Sequence, residues 1–165
     1  MKIKSPLFLF VILVFIKVDS SYSQNTWNKQ DKMNSLLESK DLYQKKHFPS
    51  NYEILSLDVE LFTNRLKSKS KREQHIIELP NADGSLSRFT CKETSNFETK
   101  LQVKFPNVKS YSAQGIDDST AIAKISIGSD GFHAVIFSAN QETVYIDPYS
   151  RDDKDYIVYK RGSLS

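Results

Sequence analysis

The residues able to do chemistry in this chain are few and widely spaced. Its three histidines are His47, His75 and His133. No two of them stand one helical turn apart with a glutamate between, the spacing that lets both imidazoles reach one zinc ion while the carboxylate works on its water. A nucleophilic triad would need a histidine oriented by a carboxylate and facing a serine or Cys91, an arrangement only folding can create. The sequence holds no Gly-x-Ser-x-Gly elbow and no cysteine in a recognisable catalytic setting. The expectation is therefore a chain that is not an enzyme and that uses no cofactor. Carboxylates gather at Asp147, Asp152, Asp153 and Asp155. They could be calcium ligands, but Lys154 stands among them and the glycine of an EF-type loop is missing, which favours a solvated turn. Asp117 and Asp118, beside Gly115, read as cap or turn residues.

The elements that would position these groups are mostly strands. Residues 128–161 hold three β-branched and aromatic bursts, 132–139, 143–148 and 156–161, separated by turn formers, which predicts three antiparallel strands in a meander. Residues 74–79 and 86–91 flank Pro80-Asn81-Ala82-Asp83-Gly84-Ser85, where Asp-Gly supplies the positive-φ residue of a tight hairpin. On the second strand of that hairpin Phe89 and Cys91 share one face. Residues 119–127 alternate, with Ala121, Ala123, Ile125 and Ile127 toward the core and Lys124 and Ser126 toward water. Residues 52–59 alternate too, and residues 108–114 return to extended structure. The period then changes over residues 58–67, a short helix that Asp58 could cap. A second helix is expected over 97–105, with Phe97, Leu101 and Phe105 in one stripe ended by Pro106, and loosely helical spacing recurs over 35–45. Trp27 reads as the anchor that packs an N-terminal arm onto the body. The fold class expected is α+β and β-rich, an antiparallel meander and hairpin sheet with one or two short helices.

The first 23 residues have the layout of a secretory signal peptide: Lys2 and Lys4, ten apolar residues over 7–16, then small residues around Ser21 and Ser23. That predicts a secreted, periplasmic or extracellular protein, with no membrane attachment after cleavage. The organisation expected is a signal peptide over 1–23, an arm over 24–50 and a β-rich domain over 51–165. Residues 1–23 hold three lysines and one aspartate, so removing them lowers the formal net charge from +3 to +1. A nearly neutral domain makes no electrostatic case for nucleic acid. The run Arg65, Lys67, Lys69, Lys71 and Arg72 lacks aromatic interleaving and reads first as a solvated or protease-sensitive loop. Cys91 is the only cysteine, which rules out an intrachain disulfide.

Over residues 52–161 the chain resembles the pro-region of bacterial secreted reprolysin-like (adamalysin-type) zinc metalloproteases. The residues that carry the likeness are the Ser-Leu-Asp strand with Leu61, Phe62 and Leu66, the hairpin IIELPNADGSLSRF, the segment KFPNVKSYSAQGIDD, and the strands GFHAVIF, TVYIDPY and YIVYKR. None is specific singly; their order and spacing make the match. The resemblance implies a pro-domain that keeps a zinc protease latent or assists its folding, with the cognate catalytic domain as partner. That family's zinc ligands have no counterpart here, and the chain stops at Ser165 where a linker to the catalytic domain would begin, so the expectation is either a truncated or split gene or a domain that acts alone.

Two site readings follow from the resemblance. Cys91 could act as a thiolate that caps the protease zinc in trans, although its neighbours Thr90 and Lys92 do not resemble known switch segments and a strand cysteine beside Phe89 is by default a core residue. The docking surface expected is a meander face with Tyr145, Tyr149, Arg151, Tyr156 and Tyr159, tyrosines being good interface anchors when they face solvent. The rival reading is a stand-alone secreted binding or protease-inhibitor module.

Overall fold

The computed structural model describes residues 26–31, 48–66, 74–94, 103–105 and 107–164. The chain is β-rich, as its sequence predicts: one antiparallel, nearly closed sheet of nine strands and, among the described residues, one helix of more than a single turn. The strands are β1 (Trp27–Lys29), β2 (Glu53–Leu57), β3 (His75–Pro80), β4 (Leu86–Glu93), β5 (Lys109–Gly115), β6 (Ile122–Gly128), β7 (Gly131–Phe137), β8 (Val144–Pro148) and β9 (Asp155–Lys160), and the helix α1 is Val59–Leu66. Their order across the sheet is β1-β2-β9-β8-β7-β6-β5-β4-β3.

Seven strands, β3 through β9, form an unbroken meander, which extends at both ends the three-strand unit expected over residues 128–161. The N-terminal pair β1 and β2 then adds to β9, so the last strand lies inside the sheet and not at its edge. The arm around Trp27 thus contributes a strand to the body. Edges β1 and β3 curl toward each other, and the Trp27 indole N–H donates to the Glu78 carbonyl oxygen at 3.0 Å.

Alternation decides what lies inside. Leu55, Leu57, Phe89, Cys91, Ala113, Ala123, Ile125, Phe132, Ala134, Ile136, Val144, Ile146, Tyr156 and Val158 point inward and form the main core. Phe132 is its aromatic hub, with ring centroids 5.5 Å from Trp27, 5.2 Å from Phe62 and 5.9 Å from Tyr156, all edge to face. Helix α1 brings Phe62 and Leu66 into this core. It begins where expected, since the Asp58 carboxylate accepts the Leu61 backbone N–H at 2.8 Å.

The hairpin β3–β4 turns on Gly84, whose φ of +83° is the left-handed conformation its sequence demanded. Gly84 N–H donates to the Asn81 carbonyl at 2.9 Å, and Asn81 N–H to the Ser85 carbonyl at 2.7 Å. At the same end of the sheet Asp118 ties two further turns together. It accepts from Thr120 of the β5–β6 turn at 2.7 Å and from Ser138 of the β7–β8 turn at 2.7 Å, and these bonds, Ser138 first, lower its carboxyl pKa. Neighbouring Asp117 holds Arg88 through a 2.6 Å ion pair. Both aspartates therefore do the turn work read from the sequence.

The expected signal peptide, the helix over 35–45, the basic run from Lys67 to Arg72 and most of the helix over 97–105 lie outside the described residues. Of that last helix Val103 and Lys104 are helical, and Phe105, expected on its apolar stripe, is 46% exposed.

Candidate functional site

The densest grouping of titratable side chains lies on the outer face of β7, β8 and β9. His133 is outward-facing on β7. Its Nδ1 is 3.1 Å from Asp147 Oδ1 on β8, and Tyr159 of β9 donates its hydroxyl to the other oxygen of Asp147 at 2.7 Å. The far ring nitrogen, Nε2, faces Asp130 of the β6–β7 turn at 3.4 Å, an ion contact too poorly aligned for a hydrogen bond. Asp153, from the β8–β9 loop, completes the cluster. Its backbone is left-handed, with φ of +57°, and its Oδ1 is buried without a hydrogen-bond partner.

Electrostatics follow from this geometry. The hydrogen bond that His133 donates to Asp147 raises the His133 pKa above the ordinary histidine value, with burial opposing it and the Asp147 and Asp130 charges adding to it. Burial, then the charges of Asp152 and Asp130, raise the Asp153 pKa. Burial and the hydrogen bond to Asp147 raise that of Tyr159. A histidine held by carboxylates on both sides is favoured as imidazolium, which makes it a poor general base at neutral pH. Ser126 pairs with His133 across β6 and β7, yet Nε2 is directed to a carboxylate and not to a hydroxyl. The arrangement sets the loop between β8 and β9 against the start of β7, with Asp153 Oδ1 2.9 Å from where a β-carbon on Gly131 would stand.

That loop is organised by its own side chains. Asp152 accepts from Ser150 and from Lys154 N–H, and Asp155 N–H donates to Ser150 Oγ at 3.0 Å. Asp147 is committed to His133 and Tyr159. Among the described residues no three His, Cys, Asp or Glu side chains are placed to hold a metal ion.

Two readings of individual residues need correction. Cys91 lies inside the sheet opposite Ala113 with no solvent exposure, and burial pushes its thiol pKa up to about 12. A protonated thiol in the core is not placed to reach a partner's zinc; it packs there as a small apolar residue. The tyrosines named as interface anchors do not form an open face. Tyr156 is wholly buried in the main core, between Trp27 and Phe132. Tyr149 and Tyr159 are buried on the other side of the sheet in a second cluster with Ile54 and Ile157, against which Tyr52 and Tyr145 pack. Tyr145 stacks on Tyr159 at 5.5 Å and remains half-buried, while Arg151 is exposed at the loop. Of the five, Tyr145 and Arg151 alone offer surface to a partner.

The His133 grouping was not assembled from the sequence. Its signal was present, since the strands at 132–139 and 143–148 were legible, but pairing His133 with Asp147 depends on the register of β7 on β8.

Comparison of the chain with protein-family models, with curated proteins and with solved structures finds no match.

Proposed function

We propose that this chain is the pro-domain of a secreted zinc metalloprotease, a module that binds the catalytic domain, holds it latent and favours its folding. The observation that supports the reading is the continuity of the resemblance. Its pieces over residues 52–161 fall in order on β2, α1, β3, β4, β5, β7, β8 and β9, the strands all joined in one sheet, which is consistent with a single folding unit. A domain that binds the native protease more tightly than its open forms stabilises it by mass action. The surface available for this excludes Tyr149, Tyr156 and Tyr159 and includes Tyr145 and Arg151.

The test is refolding. Denatured zinc endopeptidase exported by the same cells, carrying a His-Glu-x-x-His helix, is diluted from urea with and without the purified chain. A higher yield of active enzyme after proteolytic removal of the chain is expected, and an unchanged yield contradicts the proposal. A second reading, a stand-alone secreted binding or inhibitor module, draws on the near closure of the sheet around its own core. Inhibition of unrelated proteases without any effect on refolding would favour it.

A further inference from the structure

The outer face of β3 through β7 carries no carboxylate across two adjacent rows. One row, by strand register, is Lys92, Ser112, Lys124 and Val135; the other is Ile76, Thr90, Gln114, Ile122 and Phe137. Water-facing positions of an antiparallel sheet are normally polar. Here Ile76 is 67% exposed, Ile122 42% and Phe137 49%, three large apolar side chains in one row. Beside them Lys92 and Lys124 are both exposed, and Lys124 Nζ donates to Ser112 Oγ at 3.0 Å. The two rows line a shallow groove over Lys92, Ser112, Ile122 and Lys124. The acidic residues Asp130, Asp147, Asp152 and Asp153 gather instead around His133.

We infer that this groove is a docking site for an acidic polypeptide segment bearing apolar side chains. Charge complementarity selects the occupant: two lysines without a carboxylate on their rows attract carboxylates, and the apolar row beside them gives a partner's side chains a surface to dehydrate. The segment of this chain leading into Gln74 carries Lys67, Lys69, Lys71 and Arg72 and is of the wrong sign to cover it. Single-stranded nucleic acid would need several stacking rings, and the rows hold one, Phe137. The inference stands apart from the metalloprotease reading, because it names the chemistry of the partner and not its activity.

The test is an amide-resolved NMR titration of the purified chain with a synthetic peptide of alternating Glu and Leu, beside a Lys-Leu peptide, oligo(dT) and phosphatidylserine vesicles. Shift changes are expected at residues 76, 90–92, 112–114, 122–124 and 137 with the Glu-Leu peptide, weakening as salt rises. The K92E/K124E variant should lose about tenfold in affinity for that peptide and gain affinity for the Lys-Leu peptide. K92Q/K124Q should fall between. Shifts confined elsewhere, equal affinity in the charge-reversed variant, or tighter binding of oligo(dT) or vesicles at these residues would overturn the inference.

Discussion

The indole N–H of Trp27 and the backbone carbonyl of Glu78, 3.0 Å apart, join the two edge strands of the sheet. β1 is three residues long, and a strand so short gains little from its ladder alone. What fixes it is the Trp27 ring, 2% exposed and edge to face with Phe132 and Tyr156. Trp27→Phe keeps most of the ring and removes the donor, so a loss of about 1 kcal/mol is expected, and Trp27→Ala should cost about 3–5 kcal/mol. Urea denaturation read by circular dichroism measures both; equal losses would mean that the hydrogen bond and not the packing holds the edge.

His133 makes stability depend on pH with a defined sign. Its folded pKa is raised above 6.5, chiefly by Asp147, so its contribution is complete below the unfolded value and is lost as pH climbs through the folded value. Groups facing it are Asp147 on β8, Asp130 in the β6–β7 turn and Asp153 in the β8–β9 loop, with Ser126 on β6 uncharged. The urea midpoint should fall as pH rises from below the ordinary histidine value through the raised folded value in the native chain, and this dependence should flatten in Asp147→Asn. Asp117, Asp118 and Asp152, whose pKa values are lowered by Arg88, Ser138 and Ser150 respectively, act in the other window and lose their contribution as the solution turns acid.

Gly131 and Asp153 meet where the β8–β9 loop covers the β6–β7 turn. Gly131 has φ of +95°, and a β-carbon there would stand 2.9 Å from Asp153 Oδ1 and 3.1 Å from Pro148 Cγ. Gly131→Ala should cost about 1–3 kcal/mol. Asp153→Asn should raise the urea midpoint near neutral pH instead, because it removes a charge that burial disfavours and asparagine tolerates a φ of +57°. A fall in the midpoint of that variant would show that the carboxylate contributes to holding His133.

Cys91 should be inert in the folded chain. Its thiol is buried with a pKa of about 12, so an aromatic disulfide reagent at pH 8 should modify it only as the chain opens, and promptly in 6 M urea. Prompt labelling without urea would contradict its placement in the core. Cys91→Ser buries a hydroxyl among apolar neighbours and should cost about 1–3 kcal/mol.

Local pattern carried most of the fold. The Asp83-Gly84 hairpin, the Asp58 cap and the Ala123, Ile125, Ile127 alternation each rest on neighbours in sequence and were legible. Tyr156 and Tyr159 show where that reading ends. They face opposite sides of β9, and a one-sided meander would leave one of them in water. Instead β9 lies between β2 and β8 with both faces covered, because Ile54 and Tyr149 close the outer one. The continuous run of Tyr156, Ile157, Val158 and Tyr159 was the available signal of burial on both faces. The His133 cluster and the two rows flanking Lys124 depend on register between strands, which composition and period do not encode.

The central proposal is that this domain binds and silences a zinc metalloprotease. Its most direct test is a titration of the purified, folded chain into an active secreted zinc endopeptidase carrying a His-Glu-x-x-His helix, following cleavage of a fluorogenic peptide. The account expects activity to fall to background at about one chain per enzyme and to return when a second protease digests the chain. Undiminished cleavage at saturating, demonstrably folded chain would contradict it.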